Sequence, residues 1–417
     1  MKNTTQPRLA YLISRYPAIS HTFVLREVRQ LRAQGFDIRV ASINSPDRSD
    51  EGLTAEEREE SASTFYVKQD GAGGAIRAHV RTLFSNPVPY FRGLWFALRL
   101  GGFDIKRVFY GLLYFVEAVM MGQWMKRKGL SHLHVHFATP ASTVGLVTAQ
   151  IFPVTLSITV HGPDEFYDVS AYSLAEKIRG SSFICCIGNY ARSQLMKLSS
   201  FTEWSKFEVS PLGVDAEIFA PRPAPCSGAA PFEVICVGRL VPAKGQHILV
   251  AAIDRLVKAG HDIRLRFVGD GPDRETLESM VSARNLGANV IFEGAVNQDR
   301  IRALYARADV FALASFAEGI PVVLMEAMAM EIPCVTTFIT GIPELINDGE
   351  SGLLVAPSDD VALAAAITRL IEQPALRANI GRNGRLAVVE KYNLGKNTER
   401  LAEIFQRRLN GFAKESL

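Results

Sequence analysis

Residues 232–245 read FEVICVGRLVPAKG: an apolar run that stops on a glycine and sets Arg239 and Lys244 in the turn beyond it. A short β-branched and aromatic run bounded by glycine fits a strand buried on both faces, as in a parallel sheet. Further along the chain the pattern recurs. Strand-like segments at 263–268, 290–293, 310–314, 334–337 and 352–355 are each followed by a helical pattern or a short helical turn. That alternation predicts a doubly wound α/β domain.

On the other side of the quoted stretch, 211–231 (PLGVDAEIFAPRPAPCSGAAP) is rich in proline and small residues and reads as a linker. Before it, 8–43 reads strand, helix, strand. Leu9 to Ile13 is apolar, Ser20 or Thr22 can cap a helix whose stripe includes Val24, Val28 and Leu31, and Gly35 ends it. Residues 44–75 are polar and loop-like, 76–128 are helical, basic and aromatic, and strands resume at 132–137, 156–160 and 183–187. The expectation is α/β throughout: two Rossmann-like domains facing across a cleft. The first spans 1–222 and the second 223–392, with 393–417 a helix packing back towards the first. A chain of 417 residues is too long for one ordinary core.

The hydrophobic fraction of 48% and charged fraction of 21% are those of a globular protein. A net charge of +3 and no recognisable motif argue against nucleic acid. Cys185, Cys186, Cys226, Cys236 and Cys334 show neither a C-x-x-C pair nor a histidine at metal spacing, which reads as reduced thiols in the cytoplasm. The amino terminus reads as a first strand and not as a secretory signal. Residues 108–125 reach the lower edge of membrane-spanning length with one charge, Glu117. Basic residues flank both ends, so no asymmetry sets an orientation, and a domain helix or a helix on the bilayer surface is expected instead.

Three sites carry chemistry. Arg239 offers a planar fork and Lys244 a mobile point charge, a pairing suited to a diphosphate, although spacing alone leaves open a solvated loop. The second is SFAEGIPVVLMEAMAM at 315–330. Pro321 suits a first helical turn, and free amides around Gly319, Ile320, Val322 and Val323 would favour an anion. Glu326 is the lone charge on an apolar helix; sugar hydroxyls would suit its carboxylate, as would solvent or an arginine. Eight helical residues rise about 12 Å, so Glu318 and Glu326 do not read as the carboxylate pair of a hydrolase, roughly 5–9.5 Å apart. The third site is His161, after the strand 156–160 and before Gly162 and Pro163; a packing histidine fits the pattern as well. His132, His134 and His136 share one face of a strand, but no carboxylate follows closely and no metal is expected.

Taken in order, these segments resemble glycosyltransferase family 4, retaining enzymes of the GT-B fold. The matching pieces are HGPD at 161–164, PLGVD…F at 211–219, GRLVPAKG at 238–245 and VGDGP at 268–272. FEGAV at 292–296, Glu318 with seven residues before Glu326, GIPELI at 341–346 and GLLV at 352–355 complete the set. The resemblance implies a donor diphosphate clamp in Arg239 and Lys244. It implies donor-sugar contacts from Glu318 and from the segment Gly319, Ile320, Pro321 and Val322 through its backbone amides, ribose contacts from Glu326, and a base contact from Val296. It places His161 beside the reacting sugar, with no cofactor and no obligatory divalent metal. Its catalytic set is His161, Glu318, Arg239 and Lys244, and its donor a UDP- or GDP-sugar.

SRYPAISHTF at 14–23 replaces the family's usual Gly-Gly loop and resembles the colanic-acid and exopolysaccharide branch, which implies acceptor-side roles for Tyr16, Ser20 and Asp164. A glycan or polyprenyl-diphosphate-linked acceptor is then expected. Between Lys68 and Lys128 ten Lys or Arg face three acids, and 76–128 is read as a contact for the anionic inner leaflet centred on Arg92, Trp95, Phe96 and Arg99. The alternatives are a sugar-nucleotide 2-epimerase of the same architecture and a non-catalytic nucleotide-sugar-binding module.

Overall fold

The computed structural model describes residues 8–221 and 231–415, apart from the side chains of Ser20 and of 411–415. The chain forms two compact units, 1–210 with 398–417, and 211–397.

In the first unit the strands are β1 (Arg8–Arg15), β2 (Asp37–Asn44), β3 (Phe65–Tyr66), β4 (His132–His136), β5 (Thr155–Val160), β6 (Phe183–Cys186) and β7 (Phe207–Val209). They form one parallel sheet in the order β3-β2-β1-β4-β5-β6-β7. Alternation along β1 sorts the core. Leu9, Tyr11 and Ile13 face the helix Thr22–Ala33 and Phe405, whereas Ala10 and Leu12 face a cluster built on the helices Ile105–Lys128 and Pro140–Ile151. The helix Leu394–Glu415 thus closes the first unit's core through Leu401, Ala402, Ile404 and Phe405.

The second unit holds β8 (Phe232–Val237), β9 (Ile263–Val268), β10 (Val290–Phe292), β11 (Val310–Leu313), β12 (Cys334–Thr337) and β13 (Leu353–Val355), in the order β10-β9-β8-β11-β12-β13 and again all parallel.

The units part at 210/211, earlier than the expected 222/223, and the second runs on to 397. Backbone pairing explains the shift. The Val214 amide donates to Tyr392 O at 2.9 Å, and the Leu394 amide to Val214 O at 3.1 Å. The Arg385 guanidinium also holds the carbonyls of Phe219 and Ala216, at 3.2 Å each. The heart of the expected linker, 222–230 with Cys226, lies outside the described residues.

The stretch 44–75 is not a loop. It holds the helix Ala55–Ser63, whose Thr54 side chain accepts from the Glu57 amide while the Glu57 carboxylate accepts from the Thr54 amide. That reciprocal cap is written in the sequence as Thr-x-x-Glu. Thr22 starts its helix without capping it.

Ile105–Lys128 is one helix, the only one among the described residues long and apolar enough to cross a membrane. Its second half, Ala118 to Met125, is buried in the domain core, so the helix is a structural element of the first unit.

Candidate functional site

In a doubly wound sheet the loops diverge where the strand order reverses, leaving room for a ligand beyond the carboxyl ends. In the second unit that point lies between β8 and β11. The loops leaving these strands are the two that sequence singled out, and the fold ties them together. The Phe316 amide donates to Ala243 O at 2.8 Å. Gly245 sits at φ +61°, where a Cβ would come 2.1 Å from Ala314 O, so only glycine lets the loops touch.

Lys244 Nζ donates to Glu318 Oε1 at 2.5 Å, and Ser315 Oγ donates to the same oxygen at 2.7 Å. Glu318 Oε2 has no partner among the described residues. The Glu318 backbone is held in turn, its carbonyl accepting from the Thr340 hydroxyl. Its carboxylate, 7% exposed, is therefore both charge-compensated and fixed in place.

The helix Val322–Ala329 begins after Glu318, with Pro321 as its N-cap. The amides of Gly319, Ile320, Val322 and Val323 donate to no carbonyl among the described residues. They lie at the positive end of a helix that is otherwise apolar. Arg239 is exposed, and its guanidinium has no partner among the described residues. Its loop is pinned instead through its carbonyl, which takes the Gln246 side-chain amide at 2.8 Å. Glu326 is buried on the helix, with the Tyr305 hydroxyl at 3.4 Å from its Oε2. Val296 is half-buried on the turn after β10, which the Gly269 amide secures by donating to Gly294 O at 2.9 Å. A cation pair, an anchored carboxylate and a set of free amides thus share one sheet edge. That combination can hold a polyhydroxylated ligand carrying phosphate.

The first unit has its own reversal point, between β1 and β4. His161, just past β5, is buried, and its Nε2 lies 3.0 Å from His136 Nδ1. His136 Nε2 lies 3.2 Å from Glu27 Oε1, which also accepts from the Tyr11 hydroxyl at 2.9 Å. Burial, then the neighbouring His136 and His21, hold the His161 pKa well below the usual imidazole range. The loops around it rest on two buried charges that sequence reading passed over. Glu165 accepts from the amides of His161 at 2.6 Å, Gly162 at 2.8 Å and Ala138, and Lys177 Nζ donates to the carbonyls of Ala138 at 2.8 Å and Thr139 at 2.9 Å. Burial pushes Glu165 up to about 7 and Lys177 down to about 7. Glu165, four residues beyond His161, was the available signal.

The acceptor-side residues fare differently. Tyr16 is fully enclosed and its hydroxyl donates to Glu60 at 3.1 Å, so it braces its loop and offers nothing to a ligand. Asp164 is exposed at the start of the short helix Asp164–Tyr167. The Ser20 side chain lies outside the described residues. A carboxylate does approach two of the three strand histidines, because Glu27, His134 and His136 bring ligand atoms within 4.8 Å of one another. Both His134 nitrogens are nonetheless engaged, with Ser157 at 2.7 Å and Thr159 at 2.9 Å. His132 is likewise held by Thr155 and Ser157, at 2.7 Å each.

Residues 227–387, which carry Arg239, Lys244, Glu318 and Glu326, match the family described as glycosyl transferases group 1. The chain is also 27% identical to WcaL of Escherichia coli, named as a colanic acid biosynthesis glycosyltransferase, over 86% of its length and 89% of that protein. The chain is a glycosyltransferase. This glycosyltransferase is also 29% identical, over 65% of its length and 75% of the relative, to a GDP-mannose-dependent phosphatidylinositol monomannoside mannosyltransferase of Mycolicibacterium smegmatis. Among solved structures, Anabaena HepE in complex with UDP aligns with a TM-score of 0.72 at 18% identity, over 96% of the glycosyltransferase and 100% of HepE. Sucrose-phosphate synthase from Thermosynechococcus elongatus aligns at 0.76 and 19%, over 97% and 100%. At such identities they speak for the fold, two parallel-sheet α/β domains of GT-B type.

Proposed function

We propose that this enzyme transfers a sugar, with retention and without a divalent metal, from a UDP- or GDP-sugar to a glycan or polyprenyl-diphosphate-linked acceptor in surface polysaccharide assembly. The observation that carries the reading is the Lys244–Glu318 contact beside the free amides of Gly319, Ile320, Val322 and Val323 and the unpaired Arg239. The donor diphosphate would lie against Arg239 and Lys244, and the sugar hydroxyls against Glu318. The bond from the anomeric carbon to the diphosphate breaks while the acceptor oxygen bonds on the same face of the sugar. The acceptor's proton passes to the departing diphosphate, whose charge the two cations stabilise. The ribose would rest on Glu326 and the base near Val296. The named relatives in colanic acid and lipid mannoside synthesis, and the UDP complex of HepE, support the donor and acceptor classes.

The acceptor class fits a second feature. On the helices Gly71–Ser85 and Pro87–Arg99, Ile76, Val80, Phe84, Val88, Phe91 and Trp95 are exposed at helical spacing, interleaved with exposed Arg77, Arg81 and Arg99. Exposed apolar stripes flanked by bases suit the interface of an anionic inner leaflet, placing the enzyme at the cytoplasmic face. Arg92 is not part of that contact, since its guanidinium is tied to Gln150 O at 2.6 Å, and Phe96 packs against the core.

Thermal unfolding with EDTA present, across UDP, GDP and ADP, tests the donor site. A nucleotide at 100 times its Kd adds about 2.7 kcal/mol, a shift of several degrees. The shift should come from one base and shrink in Lys244→Ala. No shift with any nucleotide in a folded sample would sink the donor reading.

A further inference from the structure

Resting on the transferase reading, the geometry points to Glu27 and His136 as positioning residues: they fix the ring of His161 so that its Nδ1 presents a lone pair to a hydroxyl of a sugar bound at the first unit. The chain of contacts has a direction. Glu27 Oε1 accepts from the Tyr11 hydroxyl at 2.9 Å, and faces His136 Nε2 at 3.2 Å, so that nitrogen carries the proton of His136. A neutral ring has one N–H, which leaves His136 Nδ1 as acceptor. Its neighbour at 3.0 Å, His161 Nε2, is then the donor. His161 Nδ1 therefore holds a lone pair. It is fully buried and has no hydrogen-bond partner among the described residues.

An orphaned buried acceptor costs stability, and this one is kept in place by its surroundings. The Phe137 ring lies 4.3 Å and the Phe23 ring 5.0 Å from the His161 ring, centroid to centroid, so two aromatic rings pack against the imidazole. Phe137 holds its position at φ +70°, a left-handed conformation that an aromatic residue rarely adopts. Below the ring, Glu165 takes the His161 and Gly162 amides. A lone acceptor beside two aromatic rings repels a phosphate and welcomes a neutral donor, and a sugar hydroxyl is that donor. The histidine pairs on β4 differ in this respect, for both nitrogens of His132 and of His134 already meet Ser or Thr hydroxyls.

The test is nitrogen NMR of the full chain labelled with 15N-histidine, using long-range proton–nitrogen correlations, with His161 assigned by its loss in His161→Gln. The expected pattern at neutral pH is a protonated Nε2 and a bare Nδ1 at His161. Glu27→Gln supplies an amide that can donate to His136, so the polarity should reverse or scramble, with kcat/KM falling about tenfold or more while nucleotide affinity holds. His136→Gln is the second variant, should Glu27→Gln not fold, and the same fall is expected. A protonated Nδ1 at His161 in the wild type, an imidazolium at His136, or variants that leave the His161 shifts and kcat/KM unchanged would each overturn the assignment. The NMR measurement needs neither donor nor acceptor, so it stands or falls apart from the transferase reading.

Discussion

Glu165 and Lys177 are both almost wholly buried, yet neither faces a ligand in the arrangement described; they stitch the loops after β4 and β5 to one another. Three amides converge on one carboxylate, a density of donors that only an ionised or strongly accepting group repays. Glu165→Ala would strand those amides and leave Lys177 with a buried charge and no counter-ion. The expected cost is about 3 kcal/mol, read as a lower urea midpoint by tryptophan fluorescence. A loss below about 1 kcal/mol would mean that water or a shifted backbone satisfies the same groups. Gly245 makes a complementary prediction. Gly245→Ala should drive the Arg239–Lys244 loop away from β11 and weaken nucleotide binding at least tenfold, because a Cβ there meets Ala314 O at 2.1 Å and φ is +61°. Unchanged binding would show that the contact between the two loops is dispensable.

At the level of elements, the strands were the most legible part of the chain. The strands read at 263–268 (IRLRFV) and 334–337 (CVTT), short segments rich in β-branched and apolar residues, appear in the structure as read. The edges were not. β3 and β7 are two and three residues long, and their partly polar composition gives no apolar run to recognise. The helix Ala55–Ser63 escaped because only two of its residues, Glu57 and Glu60, are buried, so no apolar stripe marks it. Within the site, Arg239, Lys244, Glu318 and Glu326 could be found because they stand in motifs of fixed spacing. Glu27 and His136 could not, since they meet across 109 positions of chain. The exposed helices carry their own prediction. Phe84→Asp with Trp95→Ser should leave nucleotide-induced thermal stabilisation intact and abolish sedimentation with anionic vesicles at low salt. Vesicle binding that survives both changes would assign those stripes to another partner.

For the molecule as a whole, acid should act first on the unit that holds the buried histidines. Burial holds His132 down at about 3, against about 6.5 in an unfolded chain. Between those values only the unfolded state takes up the proton, so the stability present above pH ~6.5 is lost progressively as pH falls towards ~3. His134 and His161 shift the same way, both mainly through burial. All three tryptophans, Trp95, Trp124 and Trp204, lie in the first unit, so their fluorescence reports on it. Its melting temperature should fall steeply from pH 6.5 to 4.5, and less steeply in His132→Gln; equal slopes would show that carboxylates elsewhere dominate. The same unit is discontinuous in sequence, with Phe405 completing a core begun by Leu9 and Tyr11. On the ribosome this imposes an order. At roughly 5–20 residues per second, the first sheet must wait on the order of ten to forty seconds, while 211–397 are made, before the helix that covers its histidine face exists. During that interval the face carrying Leu9, Tyr11 and Ile13 of β1 and the histidines of β4 is open to chaperones, and the second unit can finish folding before the first.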